Sequence, residues 1–273
     1  NLGTMNFEGA AGGGLSDTLS ARVSVLSQNR DDYIDNSFKK EKDVMGGFDE
    51  KAGRVQFLYE SGDIEALLNV HGRKLDGTSS VFRANVFDKG SSGLNGNYDR
   101  ETVSYNDGGN NFQKYDNSGA SLKLDFDLND MTFTSITAHE QADGNGRGDI
   151  DGGTEAGPGP SAVGNAVTED QLKDLKQFTQ EFRLASDTNE ALEWQVGAFY
   201  FDSSFGVTSV DGYYGATTVY HGNESWAVFG QSTYNLTDRW DITGGVRYTY
   251  DEKGFTVGEQ NVDGFALVME FFL

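Results

Sequence analysis

The feature that most constrains this chain is a two-residue alternation interrupted by connections of two kinds. From Trp240 to Asp251, Trp240, Ile242, Val246, Tyr248 and Tyr250, with Gly244, fall on one side; Asp241, Thr243, Arg247, Thr249 and Asp251 fall on the other. A period of two is the signature of a β-strand with one apolar and one polar face. The preceding arm sets Trp226, Val228, Tyr234 and Leu236 against Gln231, Thr233 and Asn235, with Phe229 interrupting its polar side. The polar link Thr237-Asp238-Arg239 is too short for a crossover, so the arms form an antiparallel hairpin.

The unit repeats. Val55, Phe57 and Tyr59 oppose Arg54, Gln56 and Glu60; Ile64, Ala66, Leu68 and Val70 oppose Glu65, Asn69 and His71. Ala120, Leu122, Leu124, Phe126 and Leu128 oppose Ser121, Lys123, Asp125 and Asp127. Met131–Gln141 is rich in strand formers but mixed on both faces. Short turns follow Leu15, Glu60, Leu128, Ser186 and Leu236, and long loops follow Asn29, Leu75, Gln141, Phe205 and Glu252. They cover Asp31–Gly47, Asp76–Asp116, Asp143–Lys173 and Val207–Gly222.

This pattern predicts an all-β chain of about eleven strands in an antiparallel up-and-down meander, with one rim of short turns and one of long loops. A transmembrane β-barrel has that asymmetry, with short turns in the periplasm and long loops outside. A soluble sandwich needs Greek-key crossings and has no reason to alternate so strictly. Rings at both strand ends, such as Trp240 and Tyr250, suit two membrane interfaces.

Composition narrows the function. With 43 acidic and 21 basic residues the chain carries a net charge of -22, which argues against a nucleic-acid partner. Without cysteine it has neither disulfides nor thiolate metal sites. No apolar run approaches the roughly 18 residues of a membrane helix, a limit that does not apply to barrel strands.

No nucleophile, base and acid stand at a usable spacing, so no catalytic residue, no cofactor and no enzyme are expected. Asp143–Glu155 resembles a calcium loop, but an EF-hand frame from Asp143 puts Arg147 at a ligand position and leaves Glu155 one place late. A hydrated or self-bonded turn is the expectation there, with Asp149 and Asp151 as the fallback ligands. His71, His139 and His221 are too far apart for a zinc site, so no metal centre is expected. His71 and His139, near long-loop ends, are candidates to line a vestibule. In Asp76–Asp116, Arg83, Tyr98, Arg100 and Tyr105 combine guanidinium and ring chemistry suited to a planar or anionic ligand.

Three stretches carry a family resemblance: Gly13–Arg22, Phe178–Ser186, and Phe229–Tyr248. The run Phe178-Thr-Gln-Glu-Phe-Arg-Leu-Ala-Ser186, followed by Trp194 and Gly197-Ala-Phe-Tyr200, is the most specific. The chain resembles the β-barrel domain of TonB-dependent outer-membrane receptors over nearly its whole length. The resemblance implies residence in the outer membrane of a Gram-negative bacterium and uptake of a scarce nutrient, foremost a ferric siderophore or similar iron chelate. It implies as partners the outer-membrane lipid, a plug domain, and the TonB-ExbB-ExbD complex.

Such barrels have about 22 strands around a plug. No plug and no TonB box are visible, so residues 1–273 are expected to be a partial barrel, a curved open sheet lacking its C-terminal strands. The alternatives are a passive porin or adhesin barrel, or a soluble secreted all-β binding protein.

Overall fold

The computed structural model describes residues 2–106, 111–150, 152, 167–186, 191–211, 215–237, 239–258, 260–262, 265–267 and 270–272. Ten long strands run in chain order: β1 (Met5–Gly14), β2 (Leu19–Arg30), β5 (Phe48–Ser61), β6 (Ile64–Gly77), β8 (Phe112–Asp127), β9 (Met131–Asp149), β10 (Val167–Ser186), β11 (Leu192–Asp211), β12 (Gly215–Thr237) and β13 (Trp240–Val257). Six short strands complete the set: β3 (Ile34–Asn36), β4 (Glu41–Met45), β7 (Thr102–Val103), β14 (Gln260–Val262), β15 (Phe265–Leu267) and β16 (Glu270–Phe272). No helix occurs among the described residues.

Each long strand pairs antiparallel with the next, and β16 extends the path beyond β13. No ladder joins β1 to β13 among the described residues, so the meander is an open sheet, as the sequence predicts. Its short turns use residues suited to tight reversals. Gly62 (φ 56°) turns β5 into β6, and Asn129 (φ 74°), its amide bonded to the Asp127 carboxylate at 2.9 Å, turns β8 into β9.

Registered neighbours share a face. One register row reads Ala21, Phe57, Leu68, Leu122, Thr137, Gln180, Tyr200, Trp226, Tyr250, and the next toward the short turns reads Leu19, Tyr59, Ala66, Leu124, Ser135, Phe182, Ala198, Val228, Tyr248. Among the described residues no protein layer covers this apolar face: Ile242 is 61% exposed and Val246 77%. Such a surface needs lipid against it.

The mixed pattern of Met131–Gln141 has a local cause. Thr137 donates to the Gln180 side-chain oxygen at 2.6 Å, and the Gln180 amide donates to Ser135 at 3.1 Å. The polar groups on the apolar face of β9 thus satisfy one another, as a lipid-facing site requires.

The strands extend well past the apolar band, which corrects the predicted loops. Asp143–Asp149 continues β9, Val167–Lys173 begins β10, and much of Val207–Gly222 belongs to β11 and β12. Beyond the lipid neither face is apolar, so the alternation stops while the backbone ladder continues. At Asp174 (φ 51°) a bulge shifts the register of β10 against both neighbours.

Candidate functional site

Two long connections, one after β2 and one after β6, build a cap over the loop rim. The first contributes the β3–β4 hairpin; the second contributes β7, which pairs parallel with β3. Ile34, Met45, Val103 and Tyr105 form the cap's core, with Tyr33, Val44 and Val81 packed on it. At roughly 1.5–3 kcal/mol for each large apolar side chain buried, this core is enough to order a polar segment.

Asn36, fully buried, joins the connections. Its amide donates to the Tyr105 carbonyl at 2.8 Å, and its oxygen accepts from the amides of Tyr105 at 3.0 Å and Phe38 at 3.2 Å. The base of the cap is tied where the strands end. Thr78 accepts from the Gly46 amide at 2.7 Å, and the Asp32 carboxylate accepts from the Gly47 amide at 2.7 Å.

A cleft of about 570 Å³ lies between the cap and the strand ends, within the size range of a small-ligand site. Arg30, Arg83 and Arg100 converge on it, together with the rings of Tyr33, Phe48 and Tyr98. Arg30 lies 5.1 Å from the Phe48 ring and 5.5 Å from the Tyr33 ring, and donates to the Gly46 carbonyl at 2.9 Å. Arg83 lies 5.6 Å from the Tyr98 ring and donates to the carbonyls of Asp99 at 2.9 Å and Arg100 at 2.7 Å. Arg100 is exposed and has no acceptor among the described residues. Three guanidiniums face one acid, Glu50, in a chain of net charge -22. The cleft is therefore locally basic and suited to an anion with an apolar or planar body.

The predicted residues divide. Arg83, Tyr98 and Arg100 meet in this cleft. Tyr105 is a correction: 1% exposed, it fills the cap core and donates its hydroxyl to the Phe82 carbonyl. The Asp76–Asp116 segment has no periodicity because its apolar residues serve this compact core rather than a pleated face.

His71 faces the polar side of the sheet, in a second cleft of about 570 Å³. There it contacts Glu140 at 3.1 Å and Asn69 at 3.2 Å. His139 is the other correction. It is registered between Ala120 and Phe178, so it lies on the apolar face, away from any vestibule. Its row continues into Asp202, Glu224 and Glu252, which places it near the upper border of the lipid band.

Where it is described, the Asp143–Glu155 stretch is the end of β9 followed by a self-bonded turn. Asp143 lies in β9 and accepts from the Asp174 amide at the bulge at 2.8 Å, and buried Asp149 accepts from the Gly152 amide at 2.9 Å. Asp151, Thr154 and Glu155 lie outside the described residues. Arg30, Tyr33 and Phe48 were not singled out from the sequence. The available signal was an arginine at a strand end, with a ring at each end of the connection that follows.

On the polar face of β11–β13, Phe229 lies over Gly197, where a Cβ would stand 2.3 Å from the ring. Arg247 sits 5.7 Å from the Phe229 ring and 5.9 Å from the Phe199 ring. The break that Phe229 makes in its polar pattern is thus a packed ring under a cation.

The same fold occurs in solved receptors. The ferric yersiniabactin uptake receptor FyuA of Yersinia pestis superposes with a TM-score of 0.76 at 19% identity, over 96% of this chain and 39% of that one. The ferric-catecholate import receptor Fiu of E. coli K12, in its open form, gives 0.70 at 12% identity over 99% and 48%. The ferripyoverdine receptor of Pseudomonas aeruginosa gives 0.66 at 12% identity over 98% and 37%. The chain thus spans less than half the length of each. No curated protein matches it by sequence. The profile of the TonB dependent receptor-like β-barrel family matches residues 61–266, three-quarters of the chain. The chain belongs to that family of Gram-negative outer-membrane receptors.

Proposed function

We propose that this chain is part of the barrel of a TonB-dependent receptor that takes up an anionic iron chelate of the siderophore class. The observation that carries this reading is the basic, ring-lined cleft under the cap, with Arg30, Arg83 and Arg100 beside Tyr33, Phe48 and Tyr98. Hydroxamate, catecholate and carboxylate chelates of ferric iron present outward oxygens that guanidiniums bind, and organic bodies that rings cover. The similar solved receptors include proteins described as receptors or importers of ferric yersiniabactin, ferric catecholate and ferripyoverdine.

The role is uptake rather than catalysis. The intact receptor has a plug inside the barrel and draws energy through TonB, ExbB and ExbD. The barrel strands hold the cleft at the outer surface, and the wall below it faces the plug. Family membership favours this reading over a passive porin or a soluble binding protein.

The test is iron-limited growth of a deletion strain complemented with the intact gene, supplied with ferric chelates of defined charge. Rescue by an anionic chelate is expected. Arg83→Gln with Arg100→Gln should lower transport affinity by tenfold or more, on the order of two charge-assisted contacts. Equal rescue by wild type and double variant would overturn the assignment of the cleft.

A further inference from the structure

The cap cleft contains one acid, Glu50, where a carboxylate would repel an anionic ligand. Glu50 sits on the polar face of β5, registered between Gln28 of β2 and Leu75 of β6, neither of them charged. Two arginines stand diagonal to it. Arg30 registers with Phe48, one pleat nearer the cap, and lines the cleft. Arg73 registers with Ala52, one pleat farther down, and lies outside the lining of the cleft.

The Glu50 carboxylate turns toward the lower arginine. Its Oε1 accepts from Arg73 Nε at 2.6 Å. The Glu50 side chain is only 20% exposed, so water alone screens its charge poorly. Arg30, in turn, is held by the Gly46 carbonyl and by the rings of Phe48 and Tyr33, and no carboxylate pairs with it among the described residues.

We infer that Arg73 is a positioning residue for the ligand of the cap cleft. It acts through Glu50 and touches no ligand itself. By drawing the carboxylate down and cancelling its charge, it leaves Arg30, Arg83 and Arg100 free to meet an anion. Without Arg73, an unpaired carboxylate stands in the cleft, opposes every negative charge of the ligand and turns toward Arg30. The Glu50–Arg73 pair thereby sets how strongly the cleft favours anions of high charge. The inference rests on the reading of this cleft as an anion site, and adds to it a residue outside the cleft.

The test uses the intact, detergent-purified receptor and the tris-catecholate complex of ferric iron, a trianion, with the dissociation constant measured by retained radio-iron. Arg73→Gln should weaken binding about tenfold. Arg73→Lys, which keeps the charge, should lose little. Glu50→Gln alone should tighten binding, and Arg73→Gln combined with Glu50→Gln should return to the wild-type value, since both charges are then gone. A residue that merely supports the wall would not be rescued by removing its partner. Wild-type binding by Arg73→Gln, or a double variant as weak as Arg73→Gln, overturns the role of Arg73. If Arg83→Gln with Arg100→Gln weakens binding in that case, the cap reading stands without it. If that variant binds like wild type, or the wild type does not bind the trianion, the cap reading itself falls.

Discussion

The Glu140 carboxylate reaches across Gly119 to meet the His71 imidazole at 3.1 Å. His71, Gly119 and Glu140 are registered in one row across β6, β8 and β9, and a Cβ on Gly119 would stand 2.0 Å from the Glu140 carboxylate oxygen. Gly119→Ala should therefore push Glu140 aside. Both partners are partly exposed, so their coupling is about 0.5–1 kcal/mol. A double-mutant cycle between His71→Ala and Glu140→Gln should show that coupling in wild type and none in Gly119→Ala. Persistence in the alanine background would show that the glycine is not what allows the contact.

Gly197 is restricted on two sides. A Cβ there meets the Phe229 ring at 2.3 Å and the Phe182 carbonyl oxygen at 2.7 Å. Gly197→Ala should destabilise the intact barrel by roughly 1–3 kcal/mol through overpacking. Gly222→Ala, where nothing lies within 4 Å, should stay within about 1 kcal/mol of wild type and lean toward stabilisation. Urea unfolding of both variants from lipid vesicles checks the contrast.

Asn36→Ala removes three hydrogen bonds from the buried joint between the two cap connections. Each orphaned buried group costs about 1–3 kcal/mol, more than so small a core can absorb. The cap should open while the strands remain paired. Limited proteolysis should cut between residues 31 and 47 in the variant, with the heat-unfolding midpoint of the barrel unmoved. A parallel fall in that midpoint would mean that cap and barrel are one cooperative unit.

Leu122 and Ser121 are adjacent on β8 but face opposite ways. Leu122 lies between Leu68 and Thr137 on the apolar face, and Ser121 between Asn69 and Ala138 on the polar face. Leu122→Arg should cost about 2–4 kcal/mol in a bilayer, the value for a cation near mid-membrane on the lipid face. Ser121→Arg should cost less than about 1 kcal/mol. Folding equilibria in vesicles decide this, and equal costs would assign lipid to the wrong face.

The barrel strands were legible because lipid imposes a pattern that a single chain must carry locally. Every second residue of Ala120–Leu128 or Trp240–Tyr250 takes the apolar side of its strand, so the period is written into consecutive residues. The strand ends were not legible. Gly144, Gly146 and Gly148 look like loop residues, yet they lie in β9 because backbone pairing with β10 does not require apolar side chains. His139 was misplaced for a related reason: a polar residue in a strand of mixed faces does not reveal which side it takes.

By itself, the sequence determined the all-β class, the antiparallel meander, the two unlike rims and the family, since each rests on short-range periodicity or turn length. The tertiary structure decided which polar residues meet. Arg30 and Arg83 line one cleft only because β3 and β7 pair across two connections, and Tyr105 is withdrawn into the core by that same pairing. Contacts between residues so far apart in the chain depend on how loops fold over a common rim, and no local pattern encodes that.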